Sequence, residues 1–316
     1  MDATNDTAIF TPSPALLLLP ILGYIITGLL GIIGSLITFA VIAASKSLHS
    51  PCFILIAGGS IGSLLVALFF VSKGIDRVGV QLGVFSNERT GLSCLLSGMI
   101  ALWGITFHAQ VAYLVAVDRF ISVTAPIKYR SLGKKYCAWL LFGCSLYNTV
   151  QLVVAFLTAP LSTNVMCFGF TDALHPFVVT AFVQLNLFLC VANVIAYIAM
   201  MLSFRFRHSF SSTNSNVQDS FMKQQLAVMP TVKLMMGLYL LTGVLAEVIV
   251  IISLNFPHSM ADFFLMSIGS IFKTASSLVE GIALFARNKK FRECFRNLIK
   301  WNSNSVETLT MRTWHS

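Results

Sequence analysis

Seven long apolar stretches divide the chain, separated by short polar and charged runs. They cover roughly Leu16–Ala44, Pro51–Ser72, Leu92–Val123, Tyr136–Thr158, Pro176–Phe204, Leu226–Leu254 and Phe263–Ala286. Each reaches the about 20 residues that a helix needs to cross a ~30 Å hydrocarbon core. The longest connectors are Lys73–Thr90, with its five charges, Ala159–His175, and the Ser/Asn-rich stretch Ser209–Ser220. After the seventh stretch, Phe291, Phe295 and Leu298 alternate with basic residues at helical spacing, the pattern of a helix lying in a membrane interface. The pattern predicts an all-α membrane protein. Its parts are an extracellular segment over residues 1–15, a bundle over 16–286, an interfacial helix over 287–300 and a cytoplasmic tail over 301–316. No internal repeat and no soluble domain interrupts this plan.

Composition agrees with lipid as the solvent. The chain is 56% hydrophobic and 10% charged, where a soluble domain carries about 25% charged residues. Charge also sets the expected orientation. With the N-terminus outside, the outer segments hold three basic and six acidic side chains, and the inner segments hold sixteen basic and four acidic. That excess of Lys and Arg belongs on the cytoplasmic side. The basic balance is thus a matter of topology, and no nucleic-acid partner is implied. The first fifteen residues carry Asp2 and Asp6 and no basic residue, so no cleavable signal peptide is expected and the first span serves as a signal-anchor. Asn5-Asp6-Thr7 is an N-glycosylation sequon at the expected outer end. The seven cysteines show no metal-site or disulfide-scaffold spacing. Most lie in apolar runs as small buried hydrophobes.

The third stretch ends in Asp118-Arg119-Phe120, followed by Pro126 and Tyr129. An arginine there stays charged and presents a planar fork of donors, and the adjacent Asp118 can hold that fork at rest. Cys94 stands 25 positions before Arg119, and Pro126 stands 8 after Asp118. In this combination of spacings the chain resembles the rhodopsin-like seven-transmembrane G-protein-coupled receptors. With Gln110 and Pro126-Ile127-Lys128-Tyr129-Arg130 also retained, it is most similar to the nematode serpentine chemoreceptors of the Srsx-like class, over about Leu30 to Phe295.

The resemblance implies a plasma-membrane receptor that binds an extracellular small molecule or peptide and activates a heterotrimeric G protein, with no enzymatic activity and no cofactor. It implies a Cys94–Cys167 bridge. It places G-protein contact at Asp118, Arg119, Phe120, Pro126, Tyr129 and Tyr197, makes residues 288–295 the family's helix eight, and marks Cys294 as a candidate palmitoylation site. Amine receptors carry an Asp at the position of Ala101; with Leu102 and Ile105 also apolar, a biogenic amine is not expected. Glu247 and Lys273 are charges inside apolar stretches, where an ionisable residue is a functional candidate by default. They are expected either to pair or to bind a polar ligand between them. Opsins carry their retinal lysine at the position of Thr274 and a counter-ion at that of Ser97, so retinal is not expected.

The departures from the family are specific. Glu280-Gly281-Ile282-Ala283-Leu284 replaces the usual Asn-Pro-x-x-Tyr, Ser63 replaces the second-helix Asp, and Met236-Gly237-Leu238-Tyr239 replaces Cys-Trp-x-Pro. Gly34-Ser35 stands where Gly-Asn is usual. The alternative reading is a ligand-gated channel or a transporter. Transporters show matched repeats and broken helices, and no such halves are visible here. His108, alone in the third stretch, is expected to be packed and hydrogen-bonded rather than catalytic.

Overall fold

The computed structural model describes residues 14–86, 88–159, 164–166, 174–210, 230, 233–253 and 260–299. Asn5, Cys167 and residues 211–220 lie outside the described residues. In lipid every backbone N–H and C=O must be satisfied internally, and the apolar stretches accordingly form helices. Six described helices are long and apolar enough to cross a membrane: Leu18–Ala44 within the helix Pro14–Ala44, Pro51–Gln81, Gly91–Thr124, Lys134–Thr158, Pro176–Phe206 within Pro176–Phe210, and Lys233–Ser253. The seventh helix, Met260–Arg287, meets the same test as two limbs, Phe264–Ser276 and Gly281–Arg287, set at 42°. The chain is therefore a multi-pass membrane protein.

The spans close into a ring. The first packs on the second and the seventh, the second on the third, the third on the fifth, and the sixth on the seventh. The third is the axis, with 67% of its apolar window buried, and the fourth is peripheral, with 11%. The second and third approach at a pair of glycines. A Cβ on Gly62 would lie 3.2 Å from Gly104 O, and one on Gly104 would lie 3.1 Å from Gly62 O. Small residues permit such backbone contact, on which helix association in lipid depends.

The second span is longer than its apolar run suggested. The expected loop from Lys73 continues as helix to Gln81. Lys73 is buried with its ammonium 5.7 Å from the centre of the Phe69 ring, so its charge does not stop the helix. Gly83 does, with φ of 72° in the left-handed region. Val84 N–H donates to Gly79 O at 2.8 Å and Gly83 N–H to Val80 O at 3.0 Å, the paired bonds that close a helix C-terminus.

A small β ladder joins two connectors. Glu88–Thr90 pairs antiparallel with Asn164–Met166, Glu88 opposite Met166 and Thr90 opposite Asn164. Nothing in the periodicity of these three-residue segments announced it. Thr90 then caps the third span, its Oγ1 accepting from Ser93 N–H at 3.3 Å. At the other end of the chain Asn288 caps the terminal helix, residues 289–299, by accepting from Phe291 N–H at 2.9 Å. Phe291 is buried in the bundle with Phe295 and Leu298 packed beside it. Lys290 Nζ donates to Ser47 O at 2.6 Å, tying this helix to the first connector.

The sixth span departs from a regular helix. Leu240–Val244 is a π segment between two α limbs, directly after Tyr239. It directly follows the Met236-Gly237-Leu238-Tyr239 tetrapeptide.

Candidate functional site

The C-terminal end of the third span holds a three-membered polar cluster. Arg119 Nη2 donates to Asp118 Oδ2 at 2.9 Å and to Tyr129 Oη at 3.3 Å. Tyr129 Oη donates to the same Asp118 oxygen at 3.0 Å. The short helix Pro126–Ser131 carries Tyr129 back against the span it follows. Pro126 starts that helix and removes a donor where the first turn has no use for one. Burial raises the Tyr129 phenol above its usual value against the lowering effect of Arg119, so it remains a donor at neutral pH. Asp118 is closed off, with its side chain 1% exposed, while that of Arg119 is 20% exposed. Asp118 Oδ1 and Arg119 Nε have no hydrogen-bond partner. The fork is thus held by one nitrogen and retains unspent donor capacity.

Phe120 and Tyr197 meet beside this cluster. Tyr197 is buried with Ala116, Val123 and Met200, and Phe120 and Met236 pack on them. All six expected coupling residues, Asp118, Arg119, Phe120, Pro126, Tyr129 and Tyr197, therefore sit at one end of the bundle. Cys294 lies at the same end, its Sγ 3.6 Å from Ser47 Oγ.

Glu247 and Lys273 are brought together as an ion pair between the sixth and seventh spans, Lys273 Nζ on Glu247 Oε1. Of the two alternatives left by the sequence, the structure holds the direct pair. Ala101, Leu102 and Ile105 are buried in one apolar cluster with Cys94, Phe69, Phe70 and Phe182. Cys94 is disulfide-bonded, and Cys52, Cys137, Cys144, Cys190 and Cys294 are in no disulfide.

His108 is packed and hydrogen-bonded as expected, but its partner and the other polar contacts between spans escaped the sequence reading. His108 Nδ1 lies 2.9 Å from Ser63 Oγ in the buried contact of the second and third spans. Ser63 thus serves a histidine. Asn148 Nδ2 donates to Gln110 Oε1 at 2.8 Å, linking the third and fourth spans. Cys190 Sγ lies 3.4 Å from Tyr239 Oη, across the fifth and sixth. The available signal was the type of residue: an amide in an apolar run has no water to turn to and must find a partner.

Over residues 28–299 the chain matches the sequence profile of a family described as serpentine type 7TM GPCR chemoreceptor Srsx. It is 23% identical to olfactory receptor 1D2 of Pongo pygmaeus over 123 residues, 39% of this chain and 38% of that receptor. It is also 23% identical to adenosine receptor A3 of Canis lupus familiaris over 324 aligned positions, 94% of this chain and 95% of that receptor.

Proposed function

Because the chain belongs to the Srsx family of serpentine seven-transmembrane G-protein-coupled chemoreceptors, we propose that it is a plasma-membrane receptor that turns binding of an extracellular small molecule or peptide into nucleotide exchange on a heterotrimeric G protein. The observation that carries this reading is Arg119, held on Asp118 and Tyr129 with its Nε unspent. A Gα terminus entering this end of the bundle brings backbone carbonyls and a carboxylate. Those acceptors draw the guanidinium away from Asp118 and use the donors that the resting cluster leaves idle. Phe120, Pro126 and Tyr197 shape the walls, and Lys128, Lys134 and Lys135 supply a basic rim. The terminal helix over 289–299 lies on the inner leaflet, with Cys294 as its acylation site.

At the other end, Cys94 pairs with Cys167 and ties the fourth-to-fifth connector to the third span. The ladder supports this, because Met166, the residue before Cys167, stands opposite Glu88. Asn5 carries the glycan. The ligand is not a biogenic amine, since the surroundings of Ala101 are apolar and Glu247 is already spent on Lys273.

The test is Arg119→Ala in cells co-expressing a promiscuous Gα. Exchange should be lost when wild type and variant are compared at matched surface expression. Normal signalling at matched surface expression would remove the mechanism and revive the channel reading.

A further inference from the structure

The connector between the third and fourth spans carries a hydroxyl that the coupling cluster does not use. Ser131 ends the short helix Pro126–Ser131, two residues after Tyr129, and it is exposed. Its Oγ donates to Lys128 O at 2.7 Å. Ser122, nearer the cluster, is by contrast buried and bonded to Arg119 O within its own helix.

The chain around Ser131 is basic on both sides. Lys128 and Arg130 precede it, Lys134 and Lys135 follow it, and no acidic residue falls between Asp118 and Asp172. The three lysines are exposed. An enzyme that modifies a chain must draw a few residues into its cleft, so the segment has to leave its secondary structure at small cost. Here the preceding helix has six residues, a length that is marginal in water by itself. Beyond Ser131 the backbone is already extended, with φ −72° and ψ 103° at Leu132 and φ −80° and ψ 176° at Gly133. Space around Gly133 is open, since an added Cβ would meet nothing within 4 Å.

A phosphate on Ser131 would have partners and a consequence. It meets the exposed lysines, and it stands just before the fourth span, whose cap Gly133 gives no side-chain bond and whose first turn holds no acid. That helix begins Lys134-Lys135, a placement its dipole disfavours and an anion offsets. The new charge opposes the dipole of the helix that Ser131 ends, but that helix has six residues against the 25 of the fourth span. The dianion also occupies the basic rim that meets the Gα carboxylate, and repels that carboxylate.

We infer that Ser131 is a phosphorylation site for a cytoplasmic kinase that prefers basic segments, and that its phosphate uncouples the receptor. The inference rests on the coupling face proposed above and on its cytoplasmic orientation. In the transfer, Ser131 Oγ bonds to the γ-phosphorus of ATP as the bond from that phosphorus to the bridging oxygen breaks. ADP leaves, and the hydroxyl proton goes to the kinase's carboxylate base.

The test incubates the full chain, in lipid nanodiscs, with ATP and the catalytic subunit of a basic-directed serine kinase, and maps phosphate by peptide mass spectrometry. Ser131 should be modified in the folded chain, and Ser131→Ala should lose that phosphate. Lys134→Ala with Lys135→Ala should slow the transfer severalfold. Basal nucleotide exchange on an added heterotrimer should fall roughly threefold to tenfold on phosphorylation, the scale of a few exposed charge pairs, and recover with phosphatase. Exchange by Ser131→Ala should not respond to the kinase. Phosphate reaching Ser131 only after heat denaturation would overturn the inference, and so would a fully phosphorylated chain that exchanges like the untreated one. An untreated chain no faster than empty nanodiscs would instead remove the coupling reading, and this inference with it.

Discussion

Asp118 divides one oxygen between two donors, and that sharing predicts graded behaviour. Asp118→Asn removes the charge that holds Arg119 and should raise basal nucleotide exchange. Tyr129→Phe removes one donor to that carboxylate and one acceptor from the arginine, leaving the Asp118–Arg119 contact intact. A hydrogen bond to a charged group contributes about 1.5–3 kcal/mol, so Tyr129→Phe should also raise basal exchange, but less than Asp118→Asn. Basal exchange equal to wild type in both, at matched surface level, would deny the cluster a restraining role. The raised phenol pKa adds a sign. Tyr129 stays protonated through neutral and mildly alkaline pH, so its bond to Asp118 should not loosen as pH climbs to its ordinary value. The adjacency of Asp118 and Arg119 was legible in the sequence, since neighbours at a helix end must meet or diverge. That Tyr129 donates to the same oxygen was not legible, because it depends on how the short helix after Pro126 folds back.

The apolar runs located the spans, but their ends were set by residue types that periodicity does not weigh. Asn288 at the start of the terminal helix and Thr90 before the third are ordinary capping residues. The second span misled because Lys73 looks like a boundary, yet a lysine over an aromatic ring can stay inside a helix. Contacts between elements were less legible, since periodicity does not say which neighbour a face will meet. Gly62 and Gly104 show this, each unremarkable alone and each leaving open the space that the other's backbone occupies. Gly104→Val should push the second and third spans apart and lower thermal stability in detergent by about 1–3 kcal/mol, the usual cost of overpacking. An unchanged melting temperature would mean that the contact is not tight. The Glu247–Lys273 pair gives a second test between elements. Removing either partner strands a buried charge and should cost roughly 3–5 kcal/mol, and the double reversal Glu247→Lys with Lys273→Glu should recover part of it. A double reversal no better than the single changes would argue against direct pairing.

For the molecule as a whole, the distribution of Lys and Arg predicts that an N-terminal tag is reached by antibody on unpermeabilised cells. A tag seen only after permeabilisation would invert the topology and place Arg119 on the wrong side for a G protein. Cys94 and Cys167 should resist alkylation until the protein is reduced, and either Cys→Ala change should lower surface expression. The seven-span frame was readable because lipid forces one solution on every apolar run. The ladder between Glu88–Thr90 and Asn164–Met166 was not, because six residues far apart in the chain carry no period.

The π segment in the sixth span has a consequence for how such a bundle moves. A bend made by proline is written into the covalent chain and persists in every conformation. The wide turn at Leu240–Val244 exists only in hydrogen bonds. It is one surplus residue accommodated in a wider turn. If that turn tightens to the α register, the limb on one side must rotate about the axis by roughly 100°, the angle of one residue in a 3.6-residue turn. Met236 would then be carried off the surface it shares with Phe120 and Tyr197. Such a change would carry motion to the Phe120–Tyr197 surface as the migration of a dislocation along a helix, one hydrogen-bond register exchanged for another.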